Sequence, residues 1–378
     1  MTLLRPPNSK EAIKQPPRFP PLTLATPALV AQHTPCTLHP SILPPALACR
    51  IFYHMMNESQ NWRRNRWWLF DRVVESPHRT SFFVRSHSAR DGDAEHDMHE
   101  AAKYWYNGRE TEPPATFPPD MEEACKLIER AVNAEMRKRK RLPLEWAGEP
   151  PQDGDEPGEN IMWRANVAAS NCYEGAKESV GPHSDQLTYL GPYPTIASLS
   201  LGTSRVFRLR EVIPSDEKDE RNARTYNIPL AHNSLLIMHA STQEMFKHSI
   251  PPQSTIDMFH PPFPPSNTDN QGVETVSSNA RINITFRFYR PDYRAEKTPR
   301  CKCGVPCILR PDMKNRYSAP AASPGVTDNA FGKDLVAKYW WTCYAGAQND
   351  GKGCGMWKVM DVVGEGRGPF VGAVPKSQ

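Results

Sequence analysis

Between residues 161 and 290, hydrophobic and polar residues alternate with the two-residue period of β-strands. Short apolar runs at 195–202, 204–210 and 281–289 are bounded by Gly, Pro, Asn and Asp. Few stretches with helical periodicity lie between these runs, which favours a sandwich or barrel over alternating strands and helices. The pattern therefore predicts a mainly β fold with flanking helices.

Helical spacing of apolar residues precedes the strand-rich segment. It begins near Ala46 and is clearest over residues 120–141, which end in the basic run 137–141. The run is consistent with a solvated helix end, a phosphate-contacting patch or a nuclear-import signal. Aromatic residues interleaved with arginines over 62–70 indicate core packing, with a base-stacking lid as the alternative.

Composition divides the chain into regions. Residues 1–47 contain eleven of the 39 prolines and no glycine, so we predict a disordered arm there. A folded domain over 48–294, a cysteine-rich module over 299–364 and a flexible tail over 365–378 follow. The net charge of +4 does not identify a partner. No secretory signal and no membrane-spanning apolar run is expected.

A candidate metal site lies at His183 and Asp185. Residues two apart in an extended segment point the same way, so this imidazole and carboxylate face a common point. A third ligand has to come from a later strand; His248 is the best candidate, and His232 and His239 compete with it. Two histidines and one carboxylate leave open positions on a metal, which suits iron(II) chemistry with oxygen and a chelating cosubstrate.

One later strand alternates between an apolar face and a face that carries Arg281, Asn283 and Arg287. Such a polar face commonly meets solvent, but in a barrel it can line a pocket. Two guanidinium groups there suit a dicarboxylate, because arginine binds carboxylates through paired hydrogen bonds. Asn171 and Tyr173, two apart on an earlier strand, would add neutral donors.

Five of the nine cysteines crowd into the C-terminal module. A chain without a secretory signal meets reduced thiols, so a metal explains the crowding better than disulfides do. Four thiolates can form a closed tetrahedral zinc site. The candidate ligands are Cys301, Cys303, Cys343 and Cys354; Cys307 is a fifth thiol that is either spare or replaces Cys301.

In their order along the chain, these motifs resemble the AlkB family of nucleic-acid dealkylases. The matching residues are Asn171-Cys-Tyr173, then His183-Ser-Asp185, the run at 196–202, His248, and Arg281-Ile-Asn283-Ile-Thr-Phe-Arg287. The resemblance implies a double-stranded β-helix, a jelly-roll barrel with iron at one mouth. It also implies that an N-alkyl group on a base is hydroxylated with O2 and leaves as an aldehyde.

The same resemblance assigns roles to the site residues. His183, Asp185 and His248 would bind iron. The cosubstrate 2-oxoglutarate would be held by a second group of residues: Arg281 on its distal carboxylate, Asn171 and Tyr173 assisting, Arg287 near the metal-chelating carboxylate, and Asn283 lining the pocket.

The C-terminal module resembles a GRF-type zinc finger, found on DNA-processing enzymes and binding single-stranded nucleic acid. The resemblance rests on the cysteines together with the segments 339–343 and 353–357. Its tryptophans would form either a core or a stacking platform, and nearby basic residues would contact phosphates. A zinc knuckle that contacts nothing is the alternative. The tryptophans are Trp340, Trp341 and Trp357, and the basic residues are Arg310, Lys314, Arg316 and Lys338.

One departure from the AlkB pattern leaves the substrate open. Gln186, Leu187 and Thr188 follow the metal motif, where many base-repairing members carry acidic residues. The leading hypothesis is demethylation of alkylated DNA or RNA, with single-stranded nucleic acid bound by the zinc module. The alternatives are a 2-oxoglutarate-dependent hydroxylase of a protein or small molecule, and a non-catalytic nucleic-acid-binding protein. We expect a monomer in the nucleus, with the cytoplasm as a second compartment.

Overall fold

The structure is a computed structural model that describes residues 19–69, 71–85, 114–148, 162–265, 275–318, 334–336, 338–347 and 349–372. Its helices are α1 (Pro27–His33), α2 (Pro45–Glu58), α3 (Pro119–Lys138) and the single turn α4 (Thr242–Met245). Within the described part of the chain, no helix has the length and apolar character needed to span a bilayer.

Helix α3 is amphipathic, as its sequence pattern predicts. Met121, Ile128 and Val132 are fully buried and face the sheet. The basic run at its end is partly structural, because Arg139 and Arg141 both bond to the buried carboxylate of Glu145, with nitrogen–oxygen distances of 2.7 and 3.1 Å. These two arginines share one protein carboxylate, which offsets one of their two positive charges.

The prediction of a disordered N-terminal arm is wrong for residues 19–47. Thr26 caps α1 by accepting a hydrogen bond from the amide of Leu29 (3.3 Å), and Pro27 occupies the first helical turn. Leu24 and Val30 are fully buried. A proline at the start of a helix costs no hydrogen bond, because the first amides of a helix have no partner within it. Pro27 and Pro45 take such positions in α1 and α2, so the prolines here are compatible with ordered structure. Residues 1–18 lie outside the described residues.

Within the described residues, two sheets form the main body. Its strands are β1 (Leu22–Thr23), β2 (Cys36–His39), β3 (Arg63–Leu69), β4 (Arg72–Val84), β5 (Ala115–Thr116), β6 (Val167–Glu174), β7 (Val180–His183), β8 (Ile196–Gly202), β9 (Arg205–Glu211), β10 (Thr225–Leu230), β11 (Ser234–Met238), β12 (Phe246–Ile250) and β13 (Ala280–Arg287). The smaller sheet has the order β1-β10-β9-β12-β7. The larger has the order β2-β11-β8-β13-β6-β4-β3, with β5 paired to β4.

The larger sheet has two unlike faces. On β13, Ile282, Ile284 and Phe286 pack with α2 and α3 in one hydrophobic core. The opposite face packs against the smaller sheet around a second hydrophobic core, which includes Leu209 and Ile228. Beside this core lies a cavity with a partly polar wall. Two facing sheets with helices on the outside confirm the predicted mainly β jelly-roll fold.

The C-terminal module contains a three-stranded sheet, β14 (Ile308–Pro311), β17 (Tyr339–Thr342) and β18 (Trp357–Val359), in the order β14-β17-β18. A separate pair is formed by β15 (Arg316–Ser318) and β16 (Asp334–Val336). The module's core is shared with the main body, because Leu187 and Tyr293 pack in the same cluster as Trp341.

The prediction of a flexible tail from residue 365 is wrong as far as residue 372. Glu365 accepts hydrogen bonds from the Trp341 indole (3.1 Å) and Arg367 (2.8 Å). Arg367 also donates to the carbonyl of Asp292, and the Arg290 guanidinium lies over the Phe370 ring at 5.2 Å. This segment therefore fastens the module to the end of the barrel. Residues 373–378 lie outside the described residues.

Candidate functional site

The residues of the predicted iron motif meet at one end of the smaller sheet. His183 is the last residue of β7, and His248 lies on β12, directly opposite it in the antiparallel pairing. Asp185 follows two residues after β7. Strand pairing thus brings a residue 65 positions later in sequence beside the His-Ser-Asp motif.

Ligand-type atoms of His183, Asp185 and His248 all lie within 4.8 Å of one another. The Asp185 Oδ1 oxygen is 3.4 Å from His248 Nε2 and 3.9 Å from His183 Nε2. The two imidazole rings have centroids 4.3 Å apart, and the Phe207 ring stacks on His248 at 5.4 Å. The donor set of two nitrogens and one oxygen fits iron(II) and leaves one side of the cluster facing the cavity.

Arg287, which the family resemblance places near the cosubstrate's metal-chelating carboxylate, holds the second oxygen of Asp185 in this structure. The Nε and Nη2 atoms of Arg287 donate to Oδ2 at 2.9 and 2.7 Å. Burial would raise the pKa of the Asp185 carboxyl, but Arg287 first and then His248 and His183 outweigh it and hold this pKa far below its ordinary value. The carboxylate is therefore ionised, as a metal ligand must be, with Oδ1 directed at the histidines.

Neighbouring groups orient the remaining atoms. His183 Nδ1 lies 2.8 Å from the carbonyl of Gly181, so the ring donates there and leaves the Nε2 lone pair toward Asp185. The amide of Asp185 donates to Gln243 Oε1 at 2.8 Å. Desolvation and the adjacent His248 lower the pKa of His183 to about 4, so the imidazole is neutral, the form that binds a cation.

The two competing histidines lie elsewhere. His232 Nδ1 accepts from the amide of Gly202 (3.0 Å), and its ring stacks on Phe259 at 4.4 Å. His239 Nε2 is bonded to Thr37 at 2.8 Å. Both histidines therefore contact other residues, and neither belongs to the cluster around Asp185.

Two fully buried arginines, Arg205 on β9 and Arg281 on β13, differ in how their donors are used. Arg205 donates to the carbonyls of Gly175 (2.9 Å) and Glu178 (2.7 Å), and to Gln253. Arg281 donates to Ser200 Oγ (2.8 Å), while its Nε and Nη1 find no hydrogen-bond partner among the described residues. A buried guanidinium with two unused donors fits an absent carboxylate, because such donors otherwise cost free energy.

The remaining predicted cosubstrate residues surround Arg281. Its guanidinium lies 5.5 Å from the Tyr173 ring, the residue opposite it across β6 and β13. Asn171 pairs with Asn283 in the same register, and both line the cavity. Asn283 donates to Ser198 Oγ (2.8 Å) and to a backbone carbonyl, so its amide supports the cavity wall.

Sequence reasoning missed His78. This residue lines the cavity from β4, and its ring stacks on Tyr173 with centroids 4.8 Å apart. Burial lowers its pKa to about 4, although it bonds the carbonyl of Ser179 at 3.0 Å. The sequence analysis assigned no role to this residue, because only the pairing of β4 with β6 brings it to the site.

The cavity in front of these residues measures about 600 Å³. Its walls come from both sheets and include Asp185, His248 and Arg287. The C-terminal module also contributes, through Arg310 and Tyr344 among others. This contribution was not predicted, because the sequence pattern treats the module as a separate unit.

The four predicted zinc ligands also converge. Sulfur atoms of Cys301, Cys303, Cys343 and Cys354 lie within 4.8 Å of one another, and none is in a disulfide. Cys307 is outside this group; its fully buried side chain contacts Met356 Sδ at 3.8 Å in the module's core. Four thiols without any carboxylate or imidazole suit zinc.

Comparisons with known proteins match this geometry. The 2OG-Fe(II) oxygenase superfamily matches over residues 35–287. Alpha-ketoglutarate-dependent dioxygenase alkB homolog 3 of Mus musculus is 35% identical over 137 residues, 36% of this chain and 41% of that protein. DNA oxidative demethylase ALKBH2 of Arabidopsis thaliana is 29% identical over 140 residues, 33% of this chain and 38% of that protein.

A solved structure described as "The structure of OsALKBH1" aligns with a TM-score of 0.38 at 15% identity, over 68% of this chain and 99% of that one. The alignments with the two curated relatives named above span less than half the length of each relative. The superfamily match covers both strands of the His-Asp-His cluster and the strand that carries Arg281 and Arg287. This chain belongs to the 2OG-Fe(II) oxygenase superfamily, whose members use iron(II), 2-oxoglutarate and O2.

Proposed function

We propose that this protein removes alkyl groups oxidatively from the bases of single-stranded DNA or RNA. The observation that carries the proposal is the cluster of His183, Asp185 and His248, which lines a cavity of about 600 Å³ together with Arg287 and Arg310. The relatives named as DNA oxidative demethylases support the choice of nucleic acid over a protein side chain or a free small molecule.

The site residues divide into two sets with separate tasks. His183, Asp185 and His248 would hold iron(II), and Arg287 keeps the carboxylate ionised and turned toward the histidines. Arg281 would bind the distal carboxylate of 2-oxoglutarate with its two unused donors. Tyr173, Asn171 and Asn283 would line the cosubstrate's binding pocket, with Tyr173 and Asn171 assisting Arg281.

When bound, iron(II) with 2-oxoglutarate and O2 supplies an oxidant that inserts one oxygen atom into a C–H bond, while the cosubstrate becomes succinate and carbon dioxide. An N-methyl group oxidised in this way leaves as formaldehyde. The protein's contribution is positioning: the walls hold cosubstrate and target base on the same side of the ligand cluster.

The C-terminal module would hold zinc through Cys301, Cys303, Cys343 and Cys354 and would act as a GRF-type nucleic-acid-binding finger. Its exposed aromatic side chain Trp357, 66% accessible, supports a stacking role. Trp341 is fully buried and belongs to the core instead. The proposed organisation is a dioxygenase domain that ends near residue 294, followed by this module from residue 299.

We further propose that the protein is a monomer that acts in the nucleus, where its relatives' named substrate, DNA, is found. Within the basic run after α3, Arg139 and Arg141 are engaged by Glu145. Lys138, in the same run, lies 2.8 Å from Glu135 on the surface, so protein carboxylates engage this residue as well.

The proposal is tested by incubating the purified protein with iron(II), 2-oxoglutarate and single-stranded oligonucleotides that carry one N-methylated base, then measuring formaldehyde. Asp185→Asn removes a ligand charge while conserving shape. We expect turnover to fall by more than about 100-fold, beyond the loss seen when an outer partner of a metal ligand is removed. Asp257→Asn, at an exposed position outside the cluster, is the matched control.

Two results would count against the proposed substrate. Formaldehyde release that is absent across a panel of methylated DNA and RNA strands rejects nucleic-acid dealkylation. Succinate production stimulated by a peptide or small molecule, and not by these strands, would then identify a hydroxylase of another substrate class.

A further inference from the structure

The loop that follows the iron motif is packed directly against the C-terminal module. Leu187 is fully buried in one cluster with Leu309 and Trp341. The amide of Leu309 donates to Thr188 Oγ1 at 3.2 Å. Leu187 and Thr188 are two of the positions at which this sequence departs from the AlkB pattern. Their contacts hold the module beside the proposed iron site.

The module's three-stranded sheet has one inner and one outer face. Directly opposed residues across a sheet share a face, and residues two apart along a strand do so as well. Leu309 lies opposite Trp341 on the buried inner face. The outer face carries two rows that run across the strands: Arg310, Trp340 and Val359, and Ile308, Thr342 and Trp357.

This outer face combines features that suit a nucleic-acid strand. Trp340 and Trp357 contact edge to face with centroids 5.1 Å apart, and Trp357 is 66% exposed. The Arg310 guanidinium lies 5.3 Å from the Tyr344 ring. Among the described residues, no carboxylate forms an ion pair with Arg310. Aromatic faces for stacking beside a cation for phosphate are the composition that single-stranded binding surfaces use.

The same face is continuous with the proposed active site. Ile308 and Arg310, from the two rows, line the 600 Å³ cavity together with His183 and Asp185. Met313, just beyond β14, lies 3.9 Å from the hydroxyl of Ser184, the residue between those two. A ligand lying on the tryptophans therefore reaches the cavity by passing Arg310.

We infer that the outer face of this sheet is a track for the substrate strand, leading from Trp357 through Trp340 to Arg310 at the cavity mouth. The inference rests on the proposed function for its substrate class. Arg310 binds the phosphate next to the target nucleotide, and the tryptophans stack on bases further along the strand. The module is therefore a wall of the active site, which makes it a determinant of specificity for single strands over free nucleosides.

The test measures binding of a fluorescently labelled, methylated single strand to the full chain with zinc, iron(II) and 2-oxoglutarate under anaerobic conditions. Arg310→Gln should raise the Kd about tenfold, since a hydrogen bond to a charged group is lost. It should also reduce the slope of log Kd against log salt by about 0.7, the value for one phosphate contact on a single strand. Trp357→Ala should raise the Kd at least about fivefold and leave that slope unchanged.

Lys358→Gln is the matched control. Lys358 belongs to the same sheet and carries the same charge, but it lies opposite Trp341 on the other face and is 3.8 Å from Glu365. Its Kd should stay within about twofold of the wild-type value, because it makes no phosphate contact. Thermal midpoints of the variants should agree to within about 2 °C, because all three side chains are on the surface.

The outcomes separate the track from the proposed activity. A strand that binds in an Arg310-dependent manner without formaldehyde release rejects the dealkylase proposal and supports the track. Formaldehyde release with unaltered Kd values and salt slopes for Arg310→Gln and Trp357→Ala overturns the track alone. A wild-type protein that binds no single strand overturns it as well.

Discussion

The two ligand clusters of this protein are supported in different ways. His183 and His248 lie on paired strands of a sheet backed by hydrophobic core, and Asp185 is fixed by Arg287. The four cysteines lie in turns and loops around a small sheet; Cys303 and Cys354 are exposed. The fold therefore positions the first cluster without a metal, whereas the second brings four thiols together with little core of its own. We therefore expect iron to bind to a barrel that is already folded, whereas zinc should be needed to stabilise the fold of the C-terminal module.

The sharpest test of this contrast is removal of zinc with a chelator. Structural zinc contributes about 10 kcal/mol or more in small cysteine-rich modules. We expect β14, β17 and β18 to lose protection against hydrogen exchange, while β8 and β13 in the barrel keep theirs. Mass spectrometry of exchanged peptides measures both at once.

Iron depletion is the matched control, and we expect exchange in β7 and β12 to change little. If zinc removal leaves the module's strands protected, its small core is sufficient and the contrast is wrong. If the barrel's strands lose protection together with the module, the two regions unfold as one unit.

A second test addresses the pre-formed cosubstrate pocket. Arg281→Lys replaces two unused guanidinium donors with one ammonium group and should raise the KM for 2-oxoglutarate about 10- to 100-fold. Arg205→Lys, equally buried but bonded to backbone carbonyls, should lower the thermal midpoint and leave that KM unchanged. Equal effects of both substitutions on KM would contradict the assignment of Arg281. Succinate formation at varied 2-oxoglutarate provides the measurement.

The smallest expected effect concerns the contact between the two regions. Burial raises the pKa of Glu244 from its ordinary value near 4.5 to about 7, although its carboxylate accepts from the amide of Tyr193. The hydroxyl of Tyr339, in the module, lies 3.4 Å away. Because the pKa of Glu244 is higher in the folded state, protonation of Glu244 favours folding. This contribution to the free energy of unfolding is lost as pH rises from 4.5 through 7.

Glu244→Gln imitates the protonated form and should therefore be more stable than wild type by about 3 kcal/mol at pH 8, and by less than about 1 kcal/mol near pH 5. Denaturant unfolding at the two pH values measures the difference. Glu220→Gln, at an exposed position, corrects for the loss of one negative charge. A difference between Glu244→Gln and wild type that does not change with pH would show that this carboxylate is not strained by burial.

Much of the barrel was predictable because local patterns encode it. The alternation along β13 assigned Ile282 and Phe286 to an apolar face, which packs in the core, and Arg287 on the opposite face lines the cavity. The choice of His248 over His232 was weaker from sequence, because it depends on which strand pairs with β7. Pairing partners distant in sequence leave no local signal.

Other features lay beyond sequence patterns for the same reason. Proline content suggested disorder at the N-terminus, although Pro27 and Pro45 each stand at a helix start. The sequence shows that Gln186, Leu187 and Thr188 depart from the AlkB pattern. Only the position of β14 in the structure shows that Leu187 and Thr188 contact the C-terminal module. His78 likewise became a cavity residue through tertiary packing alone.

The N-terminal strand β2 is the outermost strand at one edge of the larger sheet. It covers the outer edge of β11, whose residues Ser234–Met238 are all buried, by pairing Cys36 with Met238 and His39 with Leu235. An uncovered apolar edge strand is a template for pairing with other chains and hence for aggregation. Shortening the chain to residue 48 would remove β2 and expose the backbone edge of the fully buried strand β11.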